Sequence, residues 1–177
     1  MKRKFLKIFG LIGFTLFNHI NLRHVHRELS YPVEYLRVVM LRMRGTYIGD
    51  NSWVRSGAFI TIPDYLSIGN NSTLGLYSRL FLFDLFEIGN EVEIGAGLTV
   101  HTNEHHFQDM SLPVSQHVAD LAPVKIHDNV YVGSNVTLLS GVEIHSNVVI
   151  AAGAVVNRSL ESGYIYGGVP AKRIKAL

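Results

Sequence analysis

Cysteine is absent from the 177 residues, so disulfides, thiolate metal sites and a cysteine nucleophile are all excluded. Charged residues make up only 17%, while the hydrophobic share of 47% is ordinary; that balance excludes a disordered chain. No apolar run reaches the roughly eighteen residues of a membrane-spanning helix. The stretch from Phe5 to Phe17 is interrupted by Lys7, Gly10, Gly13 and Thr15, and as a helix it rises only ~20 Å. No small-x-small pattern follows Phe17, so a cleaved secretory leader is not expected. What is left is a folded chain with room for one domain and a short appendage.

Charge is spread unevenly. Residues 1–45 hold nine Lys and Arg against Glu28 and Glu34, a net +7, and the remainder carries −5. A basic arm on an acidic body suits an anionic surface or partner, while the acidic body and the lack of a recognition motif argue against nucleic acid. Lys2-Arg3-Lys4 ahead of the apolar stretch predicts a helix that lies on the inner membrane leaflet or packs on the body or a neighbouring subunit. A second helix is predicted with Pro32 in its first turn and Val33, Leu36, Val39, Met40 and Met43 along one face. Arg42 and Arg44 sit in its last turn and Gly45 ends it. This stripe is expected to cap whatever fold follows.

From residue 48 the sequence has a period of six. Ile48, Val54, Ile60, Ile68, Leu74, Leu80, Ile88, Ile94, Val100, Ile126, Val132, Leu138, Ile144, Ile150 and Val156 are all aliphatic. Four residues after most of them comes a small or branched residue, such as Ser52, Ala58, Ser72, Val92, Val136 or Ala154. Gly, Asn, Asp and Ser fill the positions between. This period fits neither a helix nor a plain amphipathic strand. It fits a short strand and a turn, three of which close one triangular coil, with Gly and Asn supplying the positive φ of tight corners. Hexapeptide self-similarity signals a parallel β-helix.

Grouping the hexads by threes stacks Ile48, Ile68, Ile88, Ile126 and Ile144 on one face. Val54, Leu74, Ile94, Val132 and Ile150 fall on the second, and Ile60, Leu80, Val100, Leu138 and Val156 on the third. The steps from 60 to 68, 80 to 88 and 100 to 126 each exceed six. All insertions therefore leave one edge, the usual mark of a working face. Asp64, Asp84 and Glu104 fall on that edge, and the long loop, residues 101–125, carries His101, His105, His106, His117, Asp109 and Asp120. A histidine and carboxylate edge on a rigid prism is a candidate general-base site, because neutral imidazole accepts a proton near pH 7.

The ladder resembles the left-handed β-helix acyltransferases, especially the maltose, galactoside and polysaccharide O-acetyltransferases, over about residues 46–175. Val124 to Thr137, Ile150-Ala151-Ala152-Gly153-Ala154-Val155-Val156 and Gly168-Val169-Pro170-Ala171-Lys172-Arg173-Ile174 carry the resemblance. It implies a mainly β fold, a left-handed parallel β-helix of about five triangular coils. The expected division is a helical arm at 1–45, the β-helix at 46–165 with an extruded loop at 101–125, and a cofactor-side tail at 166–177.

By resemblance, His105 matches the catalytic histidine, with His106 beside it and Asp84 and Glu104 on the acceptor side. Asn103 stands where relatives often carry a first histidine, and strict alignment sets Phe83 rather than Asp84 at the acceptor carboxylate. Tyr131, Ser134, Ala152, Asn157, Arg158, Lys172 and Lys175 match positions that hold acetyl-CoA between neighbouring prisms of a homotrimer, the cations meeting phosphates. The implied activity is direct acetyl transfer to a sugar hydroxyl, at the cytoplasmic face of the membrane or in the cytoplasm. A carboxylate or loop carbonyl would set the His105 tautomer, with Glu104, Asp84 and Asp109 as candidates, and backbone N–H groups near Ser134 would stabilise the oxyanion. Alternatives are a free sugar or antibiotic acceptor, a non-catalytic scaffold, and a zinc hydratase using His101 and His106. The last lacks a third histidine, since residues 46–100 contain none.

Overall fold

An aliphatic side chain at every sixth residue can be buried only if the backbone turns after each short strand and returns to the same axis. The computed structural model, which describes residues 2–20, 27–105, 111–117 and 119–177, winds in that way. Face one is built from Tyr47–Ile48, Leu66–Ile68, Phe86–Ile88, Val124–Ile126 and Glu143–Ile144. Face two comprises Trp53–Val54, Thr73–Leu74, Glu93–Ile94, Val130–Val132, Val148–Ile150 and Tyr164–Gly167, and face three Phe59–Ile60, Arg79–Phe81, Thr99–His101, Thr137–Leu138 and Val155–Val156.

Pairing within each face is parallel and in the expected register, as in Ile48↔Ile68, Ile126↔Ile144, Val132↔Ile150 and Leu80↔Val100. All fifteen ladder positions are buried, as are the small and branched residues beside them. The expectation of about five coils falls slightly short. A sixth turn starts where Leu160 bridges Ile144 and Tyr166 stacks on Ile150. An aromatic residue and a broken spacing hide that turn from an aliphatic count.

The corner from face one to face two is a ladder of polar side chains. The Asn70, Asn90 and Asp128 side-chain oxygens accept the backbone N–H of Asp50, Asn70 and Asn90 in turn, at 2.7–2.8 Å. Asn51, Asn71, Glu91, Asn129 and Asn147 all adopt φ between 53° and 59°, a left-handed conformation that asparagine tolerates best among side-chain-bearing residues. At the second corner the coils approach so closely that a Cβ on Gly133 would lie 2.5 Å from the Ala152 nitrogen.

Two helices close the first coil. Helix α1 spans Lys2–Asn18 and α2 spans Arg27–Arg44. Pro32 is inside α2 rather than in its first turn, because the helix begins a turn earlier and forgoes only the bond that the missing proline N–H would make. The helices cross at Gly10, where a Cβ would meet the Met40 carbonyl oxygen at 2.7 Å, and Phe14 is buried under the Arg44 guanidinium. Arg42 donates to the Ile48 carbonyl at 2.7 Å, and Asn18 to the Ala58 carbonyl at 2.9 Å. Glu34 and Arg55 form a mostly buried ion pair between α2 and the first coil. The second helix thus caps the prism as expected, covering an edge that would otherwise template pairing. At the other end Lys172–Ala176 folds back antiparallel on Tyr164–Gly167.

Candidate active site

Every insertion leaves at the third corner, between face three and face one. The first coil bulges there as a short turn at Pro63–Tyr65, and the third extrudes a hairpin whose strands Asn103–His105 and Ala119–Leu121 pair antiparallel. Its neck is fixed by Thr102, which is fully buried. The Thr102 Oγ1 accepts the backbone N–H of Phe83 at 2.8 Å and of Asp84 at 3.0 Å, and the Thr102 carbonyl accepts the Ala122 N–H at 3.0 Å. One hydroxyl therefore locks the bulge of the second coil to the root of the hairpin on the third.

His105 ends the first hairpin strand and is exposed. Its Nδ1 lies 3.1 Å from the His117 carbonyl oxygen. A carbonyl only accepts, so Nδ1 carries the proton and, in the neutral ring, the lone pair falls on Nε2. Glu104 projects to the opposite side of the strand, by the alternation of side chains, and stands opposite Asp120 in the register. Asp84 uses its own Oδ1 to accept the Leu85 N–H at 2.7 Å. His106 and Asp109 lie outside the described residues.

His101 sits at the base of the hairpin, its ring stacked on Phe81 with centroids 4.9 Å apart and 9° between planes. Partial burial, then the nearby Arg79 cation, holds its imidazole below the usual histidine range, so the ring is neutral at pH 7. Sequence reasoning assigned no role to Phe81 or Thr102 and did not single out the His117 carbonyl among those of the loop. A threonine at the root of the loop predicted at 101–125 was the only available signal.

The residues matched to the cofactor fall into two groups. Ser134 and Ala152 stack on consecutive coils at the second corner, where the Gly153 N–H donates to the Ser134 carbonyl at 2.9 Å. Tyr131 is half exposed on face two and lines a hollow of about 500 Å³ with Glu93, Val149 and Leu177. Register carries that row on from Tyr131 through Val149 and Ile165 to Lys175. Arg158 and Lys172 converge on a cleft of about 280 Å³ with Tyr166 and Arg173, and Asn157 is exposed next to it. Of the backbone N–H groups around Ser134 expected to meet an oxyanion, those of Gly133 and Asn135 donate to the Ile150 and Ala96 carbonyls. Three groups able to hold a metal, His127, Glu143 and His145, gather at the first corner; His101 is not among them.

Residues 123–158 match the family described as bacterial transferase hexapeptide (six repeats). The fold is a parallel β-helix built on hexapeptide repeats. This hexapeptide-repeat protein is 25% identical to the galactoside O-acetyltransferase of Escherichia coli K12, over 84% of its own length and 72% of that protein's. It is 63% identical to a 2,3,4,5-tetrahydropyridine-2,6-dicarboxylate N-acetyltransferase of Kosmotoga olearia over 54 residues, 30% of the chain; it spans only about a quarter (23%) of that relative's length. A maltose O-acetyltransferase from Clostridium difficile 630 superposes with a TM-score of 0.78 at 25% identity, covering 99% of this chain and 88% of that one. A hexapeptide-repeat acetyltransferase from Vibrio cholerae shares the fold, with a TM-score of 0.80 at 22% identity over 99% of this chain and 93% of that one.

Proposed function

We propose that the protein is an acetyl-CoA-dependent O-acetyltransferase that acetylates a sugar hydroxyl of a surface polysaccharide or glycolipid precursor, with His105 as general base. The observation that carries this reading is the His105 Nδ1 contact to the His117 carbonyl, which orients the imidazole on the one edge that bears every insertion. The relatives named above, sugar O-acetyltransferases among them, support the reaction class.

Acetyl-CoA supplies an acyl thioester already activated for attack. His105 takes the acceptor hydroxyl proton on Nε2 as that oxygen bonds to the acyl carbon, and returns it to the departing thiolate sulfur. Such a base is worth ~10²–10⁴-fold in rate. The Ser134 N–H faces the developing oxyanion, and Arg158 and Lys172 pair with phosphates in their shared cleft. Tyr131 and Ser134 belong to face two and the second corner, whereas His105 belongs to the third, so the whole of face three separates them within one chain. One complete site therefore takes His105 from one copy and the thioester-side residues from its neighbour, as in a homotrimer.

The arm adds the location of the acceptor. Helix α1 turns Phe14 and its glycines to α2, yet leaves Phe5 71%, Phe9 60%, Ile12 55% and Leu16 65% exposed. No described helix is long and apolar enough to cross a membrane. A basic start followed by this apolar face suits an anionic leaflet, which supports a lipid-linked acceptor on the cytoplasmic side. The test of the whole proposal is acetyl-CoA turnover with a sugar acceptor: His105→Ala is expected to lose ~10²–10⁴-fold in kcat, and wild-type activity in that variant would end the assignment.

A further inference from the structure

Two Ile-His pairs, Ile126-His127 and Ile144-His145, recur eighteen residues apart, one full coil of three hexads. The isoleucines stack inside the prism, so the histidines stack outside it. Their rings lie 5.3 Å apart at 24°, at the first corner. Glu143 comes two residues before His145 and projects to the same outer side, because side chains alternate along a strand. Its carboxylate reaches across to the next coil and accepts from His127 Nε2 at 2.5 Å.

A Glu-x-His on one rung with a histidine facing it on the next brings three ligand atoms, one from each side chain, within 4.8 Å of one another. We propose that His127, Glu143 and His145 form a binding site for a divalent transition-metal ion of the zinc class, pinning the fourth coil to the fifth. Two imidazoles and one carboxylate match the donors that zinc prefers, at about 2.1 Å each. The same set disfavours magnesium and calcium, which take oxygen donors. A tetrahedral ion needs its ligands about 3.4 Å apart, from bonds of that length. The ion displaces the His127 Nε2 proton to solvent and the 2.5 Å His127–Glu143 contact opens to admit it; the exposed His145 ring rotates in about its side-chain bonds, and a water completes the set.

The scaffold is already in place. The His127 N–H donates to the Ile144 carbonyl at 2.9 Å and the His145 N–H to the Leu160 carbonyl at 3.0 Å, so both histidines stand on ladder-bonded backbone. Lys125, the cross-strand neighbour of Glu143, has its Nζ 3.5 Å from Glu87 on the coil below. The neighbouring Asp128 is engaged by Asn90. The cluster lies on a different corner from the hairpin and makes no use of the acyl-transfer residues.

The test is calorimetric titration of the full-length chain with zinc chloride, in a His24→Ala/His26→Ala background so that this pair cannot supply the signal. One ion per chain is expected. His127→Ala and His145→Ala should each weaken binding by at least about tenfold, and the isosteric Glu143→Gln should also weaken it while leaving the circular dichroism unchanged. Absence of binding in the background protein, or an affinity that none of the three substitutions alters, overturns the proposal. If the histidine variants do not fold, Glu143→Gln decides it alone.

Discussion

The Nδ1 of His105 lies 3.1 Å from the carbonyl oxygen of His117, across the hairpin that leaves the third corner. The two histidines, twelve positions apart in sequence, sit on the same extrusion, so the hairpin brings an orienting group of its own. Chemical-shift titration of the His105 ring should find the tautomer protonated on Nδ1 in neutral solution. The Nε2–H tautomer would remove the physical basis for the assignment of the base.

Removing the cations that share the C-terminal cleft should act on cofactor binding, not on proton transfer. Arg158→Ala combined with Lys172→Ala is expected to raise the KM for acetyl-CoA by ~10-fold or more with kcat little changed, since two charge-assisted phosphate contacts are lost. Steady-state kinetics at varied acetyl-CoA checks this.

Thr102→Val keeps the shape of the side chain and deletes one oxygen. The N–H groups of Phe83 and Asp84 then lose a partly buried acceptor, at a cost of up to about 1–3 kcal/mol for each group that water does not reach. Urea unfolding should show the loss, and kcat should fall with it because the root of the hairpin is no longer fixed to the second coil.

His101 gives a pH-dependent stability of known sign. Its folded-state pKa is depressed by burial and then by Arg79, so the unfolded chain binds the proton more readily. Its contribution is fully present above the unfolded value near 6.5 and is lost as pH falls through the lower folded value. Thermal melts between pH 7.5 and 5 should decline less steeply in His101→Phe, which retains the stack on Phe81, than in the wild type. Equal slopes would count against the depressed value.

The arm makes a separable prediction. Phe9→Ser combined with Leu16→Ser removes exposed apolar surface without touching the packed side of α1. Co-sedimentation with phosphatidylglycerol vesicles should drop at least several-fold, in line with ~25 cal/mol per Å² of apolar area. Turnover of a soluble sugar acceptor should stay unchanged. Sedimentation equal to wild type would place the arm against protein instead.

How much of this was legible depends on the range over which each feature is encoded. The fifteen ladder residues could be read because burial recurs at a fixed step, and their register follows once three hexads are set to a coil. Pro32 was misplaced because the turn preceding it lacks an apolar stripe to announce a helix. Tyr166 hid the sixth turn by standing in for an aliphatic residue. The His105 to His117 contact could not be seen, since a main-chain acceptor leaves no trace in residue identity. The cluster of His127, Glu143 and His145 was present as two Ile-His pairs one coil apart, a signal visible only after outward positions are traced along the same register as the inward ones.

The asparagine corner has a consequence for how the chain finds its register. Rungs this alike can be threaded one out of step at small cost, because each offers its neighbour the same donors, acceptors and aliphatic plug. The hairpin neck breaks that degeneracy: the hydroxyl of Thr102 meets the paired N–H groups of Phe83 and Asp84 on one rung only, and a slipped thread would leave all three without one another. The extrusion is thus also the index mark by which an otherwise repetitive spiral counts its turns.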